Sequence, residues 1–380
     1  MTPKERVLAA FAHQPTDRVP IYVAGLSSRV ASAVLGREAY AGGGIQQWRE
    51  SCALWQGEDA HREFLERTRQ DAVDVAVALD LDLVRSSYWR MTEKPTARLD
   101  EYTFLYGDPD GAHRIMRLDP DNELYQVVYR TPPPPQTADE LEPEVEAAEE
   151  AAHSSQPKPE DYADVLYAME RCPDRGHYAG VSSVGIPYAR PEWLEALVLR
   201  PDLVDRWLDL APIRARKTAP LLESLGIRLM FGGLDFASNK GPIYSPAHFR
   251  RFMLPRYQEV AAICHQHNGY HLVASDGDLW PVAEDLFGRS GTDGFYEIDG
   301  RAGMDLVRLR KEYPDLTLLG NISSATVHNG TREEVIAETR ACVEAAKEYG
   351  SIIAGPSNQV VPQTPIENFW AMMETLHRYR

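Results

Sequence analysis

The chain is poor in cysteine: four thiols in 380 residues, at Cys52, Cys172, Cys264 and Cys342, with no CxxC pair among them. That spacing excludes a disulfide framework and a thiolate zinc knot, and leaves reduced, buried thiols as the expectation. Long apolar runs are also missing. Nothing approaches the roughly eighteen consecutive apolar residues of a membrane-spanning helix, and the opening MTPKERVLAAFAHQ is a charged amphipathic helix without the core of a signal peptide. A membrane role is therefore not expected, and a cytoplasmic location is. Positive charge is the third shortage: 40 Lys and Arg against 57 Asp and Glu give a formal net charge of −17. Without a basic cluster, such a chain repels phosphate backbones, which excludes nucleic acid as a partner. Finally, no G-x-G-x-x-G follows the first apolar run, and GREAYAGGG near residues 36 to 44 is misplaced for cradling a dinucleotide.

What is present is ample apolar residue for a large core, 43% of the chain, arranged as alternating strand-like and helix-like segments. After a helix over residues 4 to 13, VPIYVAG is read as the first strand and residues 82 to 89 as the second, with helical segments at about 30 to 40 and 58 to 79 between them. The alternation is then interrupted. Residues 91 to 131 alternate polar and apolar around Asp-Pro-Asp turns, the pattern of an antiparallel meander, and a proline stretch and an acidic run extend the insertion to about 175 as solvated linker and exposed helix face. From residue 178 onward YAGVSSVG, RLMFGGLD, GYHLVA, DGFYEID, LTLLGNIS and SIIAGPSN supply strands three to eight, with a helix after strand three breaking near Pro201 and Pro212. Eight strand-then-helix units predict a (β/α)8 TIM barrel formed by one domain over residues 1 to 380, of the α/β class, with the 91 to 175 segment inserted.

Such a barrel gathers its active site at the C-terminal ends of the strands. Asp276 and Asp235 are the candidate catalytic acids, because carboxylates crowded at a desolvated mouth raise one another's pKa. Arg29, Tyr188, Asn239, Lys240, Asp278, Tyr296, Glu297, Asn321, Ser357 and Asn358 complete the predicted rim as substrate-binding residues. Arg29 suits a bidentate grip on a carboxylate. Several of the acids have a competing reading as helix N-caps. His265, His267 and His271 cluster near strand five but fall at the opposite, N-terminal end, so no metal site is assigned to them.

RVLAAFAHQPTDRVPI, the Gly232–Phe249 segment, SDGDLWPV, AGMDL, LLGNIS and PSNQVVPQTPIENF together resemble the uroporphyrinogen decarboxylase superfamily, almost end to end. The resemblance implies a (β/α)8 barrel, a homodimer, and either porphyrinogen decarboxylation or corrinoid-linked methyl transfer. GLSSR keeps only Arg29 of the decarboxylase arginine motif, Asn358 stands where that branch has histidine, and its tyrosine after strand three falls at Trp193. Ala274-Ser275-Asp276-Gly277 replaces the His-x-Cys-Gly turn of the zinc methyltransferases, whose third ligand falls at about Asn358. The resemblance thus implies no zinc and no tightly bound cofactor. It implies methyl transfer from a small methylated substrate to a corrinoid (cobalamin) carried by a partner protein, with general-acid help. The alternatives are a carboxy-lyase acting on a porphyrinogen-like or aromatic carboxylate, and a non-catalytic small-molecule-binding barrel.

Overall fold

A computed structural model describes residues 1–134 and 136–380. Its centre is a seven-stranded parallel sheet in the order β1-β6-β7-β10-β11-β12-β13. The strands are β1 (Leu83–Val84), β6 (Gly176–Gly180), β7 (Leu229–Phe231), β10 (Tyr270–Ala274), β11 (Gly294–Tyr296), β12 (Thr317–Leu319) and β13 (Ile352–Ile353). Helices separate consecutive strands over most of the chain, giving a mixed α/β, TIM-like architecture. The expected first strand forms no ladder. Instead Ile21 makes an isolated parallel bridge to Ala354 and Tyr22 one to Leu83, so two residues span the gap between the sheet's edges. The expectation of eight full strands is corrected on this point. Pro20 lacks an N–H and Asp82 takes the Ile21 N–H at 2.9 Å, so that segment has fewer donors left for a ladder.

Two cores hold the sheet. Inward-facing residues Leu83, Leu229, Leu272, Leu319 and Ile353 pack on Val7, Ala10 and Phe11 of the N-terminal helix Pro3–Phe11, which plugs the N-terminal ends of the strands. Gly294 is required there, since a Cβ would lie 2.8 Å from the Phe11 ring. Outward-facing residues such as Met230, Val273, Phe295 and Leu318 pack against the helices. This two-sided burial is why the strands read as nearly continuous apolar runs.

The insertion begins with a four-stranded antiparallel sheet, β2 (Ala97–Arg98), β3 (Thr103–Gly107), β4 (His113–Asp119) and β5 (Leu124–Arg130), as the alternating pattern predicts. It packs Phe104, Tyr106 and Met116 near Ile45, Trp48 and Cys52 of the helix Gly44–Gln56, an element not anticipated from sequence. The acidic stretch is not a free linker. Its helix Glu142–Ser154 lies against the helix Pro201–Ser224, with Glu149 accepting from Arg206 at 3.0 and 2.6 Å and Lys217 donating to the carbonyls of Ala152 and Ser155 at 2.8 Å each. The helical break expected near Pro201 occurs at Arg200, but Pro212 lies inside an unbroken helix whose buried face includes Leu208, Ala211, Ala215 and Ala219. A short hairpin, β8 (Ala237–Ser238) and β9 (Gly241–Pro242), follows β7. Among the described residues, no helix is long and apolar enough to cross a membrane.

Candidate active site

A cavity of about 330 Å3 lies within the curved sheet. Tyr22, Tyr178, Phe231 and Tyr296 form aromatic walls, Leu83, Leu272 and Leu319 an apolar floor, and Arg85, Glu297, Asn358 and Gln359 supply the polar groups. The Tyr22 and Tyr178 hydroxyls lie 3.0 Å apart. Trp89 stands at the mouth, where an outer, mostly apolar cleft shares Trp89, Asn358 and Gln359 with the inner cavity.

Three carboxylates meet beside this cavity: Asp235 after β7, Asp276 after β10 and Glu297 after β11 offer oxygens within 4.8 Å of one another. The chain brings them together by local means. Asp235 accepts from the Asp276 backbone N–H at 3.0 Å, and Ser275 Oγ accepts from the Phe236 N–H at 3.2 Å, stitching two loops. Gly277, at φ 97°, lets the turn press against the β8–β9 hairpin, where a Cβ would come within 2.8 Å of Ser238 backbone atoms. Glu297 itself has a left-handed backbone, φ 71°, a conformation that bulky residues adopt rarely and often at functional sites.

The electrostatics follow from this crowding. Burial, then repulsion from Asp276 and Asp235, pushes the Glu297 carboxyl up to about 8, with Arg85 opposing. Burial also raises the Asp276 carboxyl, aided by Asp235 and Asp299, while hydrogen bonds from the Asn358 amide pull the other way. At neutral pH Glu297 is therefore mainly a neutral acid on the cavity surface. As metal ligands the three acids present oxygen only, a donor set for hard cations and not for zinc, which favours thiolate and imidazole.

Of the residues expected at the rim, Tyr296, Glu297 and Asn358 line the cavity, while Asp276 and the exposed Asp235 do not line it but bring carboxylate oxygens within 4.8 Å of Glu297. The others are elsewhere. Arg29 is exposed, bonded to the Pro120 carbonyl at 3.3 Å and 3.5 Å from Asp121, so it fastens the meander's turn. Tyr188 packs with the outer core, because β6 ends at Gly180 and the chain has left the mouth before reaching it. Asn239 and Lys240 form the exposed tip of the β8–β9 hairpin. Asp278 accepts the Trp280 N–H at 3.0 Å, a local turn contact two residues on. Asn321 and Ser357 follow β12 and β13 but do not line the cavity. His265 and His267 pair with Asp293 and Glu223 at 2.8 Å each, and His271 is buried among the outer helices. Sequence reading missed Arg85, Tyr22, Tyr178 and Gln359. For Tyr22 and Tyr178 a period-two count from the strand's apolar residues was an available signal.

Residues 235–379 match the family model described as "Uroporphyrinogen decarboxylase (URO-D)". The matched segment is similar to that family. That segment carries Asp235, Asp276, Glu297 and Asn358, so the acid cluster lies within the matched part. A solved structure described as a methyltransferase from Methanosarcina mazei superposes with TM-score 0.66 at 20% identity, covering 100% of this chain and 99% of that one. At that identity the likeness is one of fold. A chitinase from Chromobacterium violaceum, with TM-score 0.36 and 10% identity over 60% of this chain and 86% of its own, is too remote to inform the site. No curated protein matches the sequence. The chain thus shares its fold with that methyltransferase structure, and its cavity chemistry is set by its own residues.

Proposed function

We propose that this chain is an enzyme that takes a methyl group from a small methylated molecule and passes it to an acceptor presented at the cavity mouth. The observation that carries this reading is Glu297: a carboxyl pushed up to about 8, lining a small aromatic cavity, with the carboxylates of Asp276 and Asp235 within 4.8 Å. Transfer of methyl from a heteroatom needs that heteroatom to leave with a proton. The acceptor's electron pair attacks the methyl carbon, and the carbon–heteroatom pair stays on the heteroatom. Glu297 then gives its proton to that atom, and the resulting carboxylate is reprotonated from solvent. Glu297 replaces Asp276 and Asp235 as the proton donor, because it is the acid that lines the cavity. Asp276, held by Asn358, and Asp235 keep it protonated.

A corrinoid carried by a partner protein would supply the nucleophile as reduced cobalt. A macrocycle of that size cannot enter a cavity of about 330 Å3, so it would be met at the outer cleft beside Trp89, and the substrate alone would sit inside. The same size argument disfavours a porphyrinogen as the enclosed substrate.

A second reading, decarboxylation of a small aromatic acid, is favoured by Arg85 and Glu297 sharing the cavity. One would hold the carboxylate and the other protonate carbon. The two readings separate by product. With methylated aromatic compounds and reduced cobalamin as acceptor, methyl transfer yields methylcobalamin and a demethylated product, and decarboxylation yields carbon dioxide without any cobalamin. If neither product forms from any methylated or carboxylated compound tested, both readings fall.

A further inference from the structure

Arg85 differs from the ion-paired interior arginines, and from Arg310, whose guanidinium is taken up by the carbonyls of Tyr313, Pro314, Leu316 and Gly350. Arg6 pairs with Asp17 and Asp82, Arg90 with Glu50 and Asp164, and Arg256 with Asp205 and Asp209. Arg85 pairs with no carboxylate among the described residues. Its Nε donates to the Ser87 carbonyl at 3.0 Å and its Nη1 to the Ala24 carbonyl. Gly25 leaves room for this, since a Cβ there would lie 3.3 Å from Nη1. Two carbonyls fix the guanidinium but do not neutralise it, and Nη2 is left without an acceptor among the described residues. An unpaired cation in a desolvated cavity is costly unless something anionic enters.

The remainder of the cavity states what that anion is attached to. Tyr22, Tyr178, Phe231 and Tyr296 offer ring faces and edges, with Tyr22 at 6.2 Å from Tyr178 and 5.8 Å from Tyr296, both edge-on. Such walls favour a flat, unsaturated body over a flexible chain. A volume of about 330 Å3 is at the low end for small-molecule sites and suits one substituted ring.

We infer that Arg85 is the substrate-anchoring residue, and that the substrate is a monocyclic aromatic carboxylate whose acid group docks on the Arg85 fork. A carboxylate supplies the planar pair of acceptors that a guanidinium matches. The ring then lies between the aromatic walls and turns its other substituent toward Glu297. That this substituent carries the methyl group rests on the methyl-transfer reading; the anchoring itself does not.

The test is calorimetric binding of two probes to the full chain, 4-methoxybenzoate and its neutral analogue 4-methoxybenzamide. The wild type is expected to bind the benzoate about tenfold or more tightly than the benzamide. Arg85→Gln should abolish that preference while leaving benzamide binding nearly unchanged. Arg85→Lys, which keeps the charge without the fork and guards against a Gln variant that fails to fold, should retain only part of it. Equal binding of the two probes, a preference that survives Arg85→Gln, or binding of neither probe by the wild type overturns the inference. The readout is independent of turnover. Benzoate binding through Arg85 without methyl transfer to reduced cobalamin would sink the methyl-transfer reading alone, whereas methyl transfer without carboxylate preference would sink this inference alone.

Discussion

The Asn358 carboxamide donates to both oxygens of Asp276, at 3.1 and 2.8 Å, and so joins the segment after β13 to the turn after β10 across the cavity rim. Asp276 is thereby biased toward its charged form, against the burial that raises it, and its charge is one of the two that hold the Glu297 proton in place. Asp276→Asn removes that charge. The basic limb of the pH–rate profile is expected near pH 8 in the wild type and at lower pH in Asp276→Asn. An unmoved limb would show that the two carboxyls are not coupled. Asn358→Leu should move the limb in the same direction by a smaller amount, because Asp276 then protonates more readily.

Glu297→Gln preserves shape and removes the transferable proton. Turnover should fall by about 10²- to 10⁴-fold, the usual worth of a general acid, with probe affinity changed little. Should the variant retain wild-type kcat, the proton must come from elsewhere, and Asp276 is the next group to replace.

Two buried groups give opposed pH dependences of stability. Glu297 rises from 4.5 to about 8 on folding, so the folded state holds a proton that the unfolded state has lost between those values, and stability falls as pH rises through that window. His271, fully buried with Nε2 lacking a hydrogen-bond partner, drops from 6.5 to about 4 through burial. Its contribution is complete above pH 6.5 and is lost as pH falls toward 4. Each pH unit inside either window is worth up to about 1.4 kcal/mol per group. Thermal melts should therefore show Glu297→Gln gaining most over the wild type above pH 8, and His271→Leu flattening the acid side only. Parallel melting curves for the wild type and a variant across pH 4 to 9 would rule out that variant's group as a source of the dependence.

The bridging segment at Ile21 and Tyr22 depends on Asp82, which is fully buried, accepts from the Ile21 N–H at 2.9 Å and from Arg380 Nη1 at 3.2 Å, and pairs with Arg6. Asp82→Ala takes one of two carboxylates from each of Arg6 and Arg380, which keep Asp17 and Asp80, and frees the Ile21 segment; a loss on the order of 1–3 kcal/mol is expected in denaturant unfolding. Gly355 is the complementary case. A Cβ there would lie 1.8 Å from the Tyr22 carbonyl oxygen, so Gly355→Ala must push the bridging segment away and should cost about 2–3 kcal/mol. If both variants melt like the wild type, the two-residue bridge contributes little to the fold.

The sequence was most informative where burial is two-sided. GYHLVA forms β10 with both faces covered, and its apolar run makes it visible whichever side chains point inward. The meander was visible from its alternating sequence and Asp-Pro-Asp turns, although burial alternates only over Met116–Leu118 of β4, while β3 is buried from Thr103 to Tyr106 and β5 is exposed except at Tyr125. The acid cluster was partly legible because strand ends are punctuated by small residues, which placed Asp235, Asp276 and Glu297 near one mouth. Which acid faces the cavity was not legible: it depends on the φ 71° backbone at Glu297 and on the stitching of the Asp235 and Asp276 loops. Arg29 and Arg85 show the same limit. Arg29 follows the first predicted strand and Arg85 falls inside the second, read at residues 82 to 89; β1 ends at Val84 and delivers Arg85 to the cavity, whereas Arg29 lies in the first turn of the helix Ser28–Leu35 and is drawn outward to Pro120 and Asp121.

The ionisation of Glu297 can be observed without knowing the substrate, by 13C NMR of protein labelled at the glutamate side-chain carboxyl, the resonance being identified by its disappearance in Glu297→Gln. The structure predicts a midpoint near 8 that falls in Asp276→Asn. A midpoint in the ordinary glutamate range, near about 4.3, would mean that Glu297 is already ionised at neutral pH, and the proposed proton donor would be lost.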